Sequence, residues 1–284
     1  MNIGLDLLFV VAFKMGVMGV AVATVISQLI SGLLCLWKIK RDFFILHLEK
    51  EDMAFDKTLC GQLLYSGLPM ALQFSITAIG SIMLQAAVNS LGSDVIAAVT
   101  IGGKTQLMIV LPSETIGITM ATYCGQNLGA RKLDRIKKGV NQSVFLALGY
   151  CVIGFCIAYF AGEYISLLFI NKSEVLVLSL VKQFLRTNAF FYPVLGILFI
   201  FRNSIQGLGF SVPAMTAGVF ELVARGVMGY FIVPKFGYGA VCIANPMAWF
   251  AADILLIPVY FWVVKKLNKR FAQPECAADS CLTS

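Results

Sequence analysis

The clearest chemistry in this sequence belongs to an acid set in an apolar stretch. Asp6 follows Asn2 by four residues, so a helix places both side chains on one face. A carboxylate in a lipid-embedded helix is costly, and it is kept where it binds an ion or a proton or pairs with a cation. Asn2 adds a carbonyl oxygen, the hard ligand type that alkali and alkaline-earth cations prefer. Thr24 lies on the next apolar segment, with Ser27, Gln28 and Ser31 on turns that can face the first. Two readings stand: a cation site on Asn2, Asp6 and Thr24, or a structural acid tying two helices together. The spacing favours the ion site. Burial favours a protonated carboxyl and a bound cation favours the charged form, so one group can alternate between H⁺ and Na⁺.

Other charges lie within apolar stretches. Glu221 and Arg225 are four residues apart and read as an internal ion pair in preference to a substrate contact. Lys104 and Asp253 each either pair across helices or line a cavity, and Arg186 is a further intramembrane base. The single histidine, His47, lies outside the apolar segments, so no membrane-embedded triad or metal cluster can use it. An enzyme is not expected. The Gln126–Ala130 stretch lacks the Gly-Lys-Ser/Thr ending of a phosphate loop and reads as a cytoplasmic turn between helices. Eight cysteines without CxxC or Cys/His grouping imply neither a disulfide framework nor zinc.

These residues must be positioned by a polytopic membrane protein. The 284-residue chain is 59% hydrophobic and 13% charged, about half the charged fraction of a soluble domain, with mean hydropathy +0.84. Its net charge of +7 therefore speaks of topology and not of nucleic acid. About eight transmembrane helices are predicted, near 2–13, 18–37, 60–89, 95–120, 137–161, 184–206, 212–234 and 239–264. The first is short for a span. Placing both termini in the cytoplasm puts fifteen bases, Arg202 among them, on the inner side and four (Lys14, Lys172, Lys182, Lys235) on the other. Residues 38–58 form an inter-lobe linker, with Phe43–Leu46 against the membrane face, and 267–284 a polar, disordered cytoplasmic tail.

The chain also repeats itself. Residues 14–24 (KMGVMGVAVAT) and 235–245 (KFGYGAVCIAN) align with a one-residue slip, each entering an apolar helix from a short loop. Internal repeats are a recurring plan among secondary transporters. If helices 1–2 match helices 7–8, residues 59–266 form one six-helix lobe and residues 1–37 are the last helix pair of an earlier lobe. Four upstream helices are then expected in the complete protein.

A series of motifs, in order and spacing, makes the chain resemble the multidrug and toxic compound extrusion (MATE) family. They are Asn2-x-x-x-Asp6, Gly16-x-x-Gly19-x-Ala21-x-Ala23-Thr24, Gly67-Leu68-Pro69, Gly125-Gln126-Asn127-Leu128-Gly129-Ala130 and Gln206-Gly207-Leu208-Gly209, followed by Pro213, Glu221, Arg225, Pro246 and Trp249. The resemblance covers residues 2–266. It implies an all-α bundle and a secondary antiporter that exports organic cations or drugs in exchange for Na⁺ or H⁺. It further implies a cell-membrane location, monomeric action and no cofactor beyond the coupling ion. The family's cation site falls on Asn2, Asp6 and Thr24. The family's glutamate after Gly-x-Pro has no counterpart between Met70 and Gln85, so coupling is expected at Asp6. A lipid-linked saccharide flippase of the same superfamily is the alternative; nearly balanced intramembrane charges favour organic cations over it only mildly. An inactive transporter fragment is a third reading.

Overall fold

In lipid every backbone N–H and C=O must find a partner within the chain, which leaves the helix as the solution for a single apolar segment. The computed structural model describes residues 1–43, 55–172 and 174–272, and among them there are helices and no strands. The chain divides into two compact units, Met1–Cys60 and Gly61–Ser284.

The first unit is a helix pair. Helix α1 (Asn2–Leu7) runs into a π-helical segment, Leu8–Ala12, and the chain then reverses into α2 (Gly16–Asp42). Lys14 and Gly16 carry the reversal with φ of 53° and 56°, a region that glycine enters without the Cβ penalty. A Cβ on Gly19 would lie 3.0 Å from Phe9 Cβ and 3.2 Å from the Phe9 backbone, so this glycine lets the two helices meet at the reversal.

The second unit is built from α3 (Lys57–Asn89), α4 (Ser93–Gly129), α5 (Leu133–Cys156), α6 (Gly162–Ser166), α7 (Val175–Ala189), α8 (Tyr192–Gly207), α9 (Ser211–Val227), α10 (Val233–Phe236) and α11 (Tyr238–Ala272). π-Helical segments join α5 to α6 (Ile157–Ala161) and α9 to α10 (Met228–Ile232). The main core lies where α4, α5, α8, α9 and α11 meet, around Met120, Val140, Leu198, Ile205, Trp249 and Leu256. Small residues set the approach distance, as expected where lipid supplies no hydrophobic drive between helices. A Cβ on Gly207 would sit 2.2 Å from the Ala121 carbonyl oxygen, and Gly125 faces the Gly207 carbonyl. Gly125 and Gly207, from the Gly125-Gln126 and Gln206-Gly207 motifs, are thus among the close contacts between α4 and α8.

Among the described residues, six helices, counted through their π-helical joins, are long and apolar enough to cross a bilayer. The expected span 184–206, the sixth in chain order, starts earlier and is broken: α7 and α8 meet at 56°. The cause is local. Pro193 occupies the first turn of α8, where it has no N–H to give and restricts the residue before it. The first expected span, Asn2–Ala12, is the short helix expected at the start.

Three boundaries differ from the sequence reading. Gln126–Gly129 close α4, so the turn is only Ala130–Lys132. Helix α2 continues to Asp42 and carries a Lys38–Asp42 ion pair, so the first linker residues are helical. Helix α11 runs to Ala272, through the start of the expected tail. His47, most of Phe43–Leu46 and residues 273–284 lie outside the described residues.

The repeated stretches also share conformation. Each follows a five-residue π-helical segment and reaches a glycine of positive φ, Gly16 at 56° and Gly237 at 61°, before a long helix. Gly16 comes four positions after Ala12 and Gly237 five positions after Ile232.

Candidate functional site

In the first unit, the packing of α1 on α2 brings two of the three expected cation-site residues together. Asn2 Nδ2 donates to Thr24 Oγ1 at 3.5 Å. The Thr24 hydroxyl donates back to the Val20 carbonyl at 2.9 Å, so its oxygen faces the first helix as an acceptor. Asp6, one turn along the same face as Asn2, has its Oδ1 buried without a hydrogen-bond partner. Ser27 Oγ on α2 is buried and unpartnered as well. An open groove of about 760 Å³ runs past Asn2, Ser27, Ser31 and Trp37. A buried carboxylate oxygen without a donor is expensive, and a cation or a proton is the partner that would satisfy it. The donor set of carboxylate, amide carbonyl and hydroxyl oxygens fits a hard cation such as Na⁺.

The second unit holds a larger charged cluster. Glu221 accepts from both neighbouring arginines: Arg225 Nη2 lies 3.2 Å from Oε2, and Arg202 Nη2 contacts Oε1. The three side chains are 3%, 7% and 13% exposed. Asp253 on α11 is buried and couples electrostatically to Arg202, while its Oδ1 has no hydrogen-bond partner. Beside them Gln206 Nε2 donates to Gln73 Oε1 at 2.6 Å, and Thr77 Oγ1 is buried and unpartnered. Helix α3 reaches this cluster through glycine contacts. A Cβ on Gly80 would lie 3.3 Å from Leu222 Cα, and one on Gly218 3.2 Å from Gln73 Cγ.

The Glu221–Arg225 pair is therefore part of a four-charge group, in which Arg202 stands within the bundle and not at the inner surface. Counted in the sequence as an inner-loop base, it lies inside α8 with its guanidinium in the bundle. Its removal leaves fourteen bases against four, and the charge bias stands. The available signal is its spacing: Arg202 and Gln206 are four residues apart, as are Gln73 and Thr77, so each pair shares one helix face. The remaining intramembrane bases lie elsewhere. Lys104 is exposed with its amine 5.8 Å from the Phe169 ring, and Arg186 stacks 4.3 Å from the Tyr159 ring. Among the described residues no three His, Cys, Asp or Glu side chains group to hold a metal, and the six described cysteines are free.

Comparison with known proteins agrees with this architecture. The "Probable multidrug resistance protein YpnP" of Bacillus subtilis (strain 168) is 25% identical over 231 residues, covering 81% of this chain and 50% of that protein. The "Probable multidrug resistance protein YoeA" of the same organism is 25% identical over 267 residues, covering 90% of this chain and 57% of its own. The chain thus spans about half the length of these curated relatives. Among solved structures, one described as an outward-facing conformation of a multidrug resistance MATE family transporter superposes with a TM-score of 0.86 at 19% identity. It covers 94% of this chain and 60% of the other, and so supports the fold. The family described as MatE matches residues 69–231, from the proline of α3 to the π-helical segment after α9. A helical membrane bundle with this match over more than half its length belongs to the MatE family.

Proposed function

We propose that this chain serves in a secondary active antiporter that exports organic cations or drugs across the cell membrane in exchange for Na⁺ or H⁺. In this reading residues 1–37 close an N-terminal lobe, residues 59–266 form the C-terminal lobe, and both termini face the cytoplasm. The protein acts as a monomer and needs no cofactor besides the coupling ion. The observation that carries the reading is the unpartnered Asp6 Oδ1 beside the Asn2–Thr24 contact. A bound ion shifts an inward–outward equilibrium only by its differential affinity for the two states, and a carboxylate that lacks a protein partner offers the largest such difference. The names of the relatives, and a greasy groove lined by Leu34, Trp37 and Ile39, support an apolar, adaptable cargo.

The test is ethidium efflux from energised vesicles under an imposed Na⁺ or pH gradient. Asp6→Asn keeps the shape and removes the charge, so gradient-driven efflux is lost. Asn2→Ala and Thr24→Ala each remove one neutral ligand and are milder. Parent-rate efflux from Asp6→Asn would refute the assignment.

A further inference from the structure

The charge arrangement in the second unit is lopsided. Glu221 has an arginine on each carboxylate oxygen, whereas Asp253, equally removed from solvent, has only the more distant attraction of Arg202 and an Oδ1 without a donor. Arg202 Nε and Arg225 Nε and Nη1 are likewise buried without acceptors. Arginine cannot shed its proton in a protein, but a carboxylate can accept one. The charge of the group can therefore change only at its acids, and Glu221 is the acid whose charged form is already bonded.

We propose that the Arg202–Glu221–Arg225–Asp253 cluster is a proton-binding site of the six-helix unit, with Asp253 the residue that takes and releases the proton. In the ionised form the four charges sum to zero and Asp253 competes with Glu221 for Arg202. On protonation the carboxyl becomes neutral and Arg202 stays with Glu221. The ligand must be one that needs no room, because α3 closes on α9 at Gly80 and Gly218 beside the cluster.

The other charged groups on helices packed against α11 are engaged elsewhere or lie at its ends. On α7, Lys182 pairs with Glu163 at 2.7 Å and Arg186 stacks on Tyr159. Lys235 is on the short α10 at the start of α11, and on α5 the charges Asp134, Arg135, Lys137 and Lys138 lie in the first turns. Cys151 of α5 donates to the Tyr192 carbonyl. Arg202 is the charge that acts on Asp253, and Arg202 is in turn held by Glu221. The placement has a parallel in the other unit. Asp6 precedes its π-helical segment by two residues, and Arg225 precedes the matching segment by three.

The test is infrared difference spectroscopy of the full chain in lipid nanodiscs, titrated from about pH 5 to about pH 9. The wild type is expected to show a protonated-carboxyl C=O band that comes and goes with pH. Asp253→Asn removes that band and Asp6→Asn leaves it, which separates this site from the one proposed for coupling. Glu221→Gln frees both arginines and displaces the band's midpoint by about one pH unit or more. If Asp253→Asn does not fold, Asp253→Glu answers the same question, since the band must persist at a changed frequency. A titrating band unchanged by either substitution at 253, or no titrating band in the wild type, overturns the proposal.

Discussion

Glu221→Ala is the most informative single change in the second unit. It leaves two buried guanidinium groups, 7% and 13% exposed, with the attraction of Asp253 acting on Arg202 alone. Breaking a buried pair by removing one partner costs about 3–5 kcal/mol, because the remaining charge is uncompensated. The reverse change is cheaper. Arg225→Ala leaves Arg202 on Glu221, and any carboxylate short of a partner can take up a proton, which an arginine cannot mirror. A loss of about 1–2 kcal/mol is expected there, near the upper range measured for polar contacts between membrane helices. Replacing Glu221, Arg202 and Arg225 together by Met or Leu should be close to neutral, since a well-packed apolar set of similar volume carries no desolvation cost. Steric-trapping unfolding in bicelles measures all three. If Glu221→Ala costs no more than Arg225→Ala, the bridging role of Glu221 is wrong.

Two further outcomes follow from geometry. Gly207→Ala puts a Cβ 2.2 Å from the Ala121 carbonyl oxygen and 2.7 Å from Ala121 Cα; backbone cannot swing aside, so the α4–α8 contact should weaken by about 3 kcal/mol. Gly103→Ala, with nothing within 4 Å, is the control and should be neutral or slightly stabilising in the same unfolding assay. In intact cells, a cysteine placed at position 134 should resist an impermeant thiol reagent while one at 172 reacts. The opposite pattern would invert the topology.

Most of the architecture was legible because lipid restricts the choices. Apolar length gives the helices, and the Gly-rich motifs turned out to be close contacts, as Gly125 and Gly207 show. What could not be read depends on direction. A hydropathy window sums residues and does not register that Pro193 bends the chain by 56° at residues 190–191. Nor does it separate a base near a helix end that faces water from one that faces inward, and so Arg202 reads in the sequence as a base of the inner side. In the first unit the contact of Asn2 with Thr24 was foreseeable from helix spacing. The orphaned Asp6 oxygen was not, since only packing decides which lone pairs are met.

The π-helical segment Leu8–Ala12 makes the orientation of Asp6 a matter of residue count. A π-turn is in effect one residue inserted into an α-helix, and each residue of an α-helix turns the chain by about 100°. Deleting any one residue between Leu8 and Ala12 would let that stretch relax to ordinary α-helix. Asn2 and Asp6 would then be swung together off the side that meets Thr24, although every proposed ligand remains in the sequence. An alignment would score such a deletion as a conservative gap in an apolar run. In the folded chain it would erase the site while leaving hydropathy, length and helix content almost untouched.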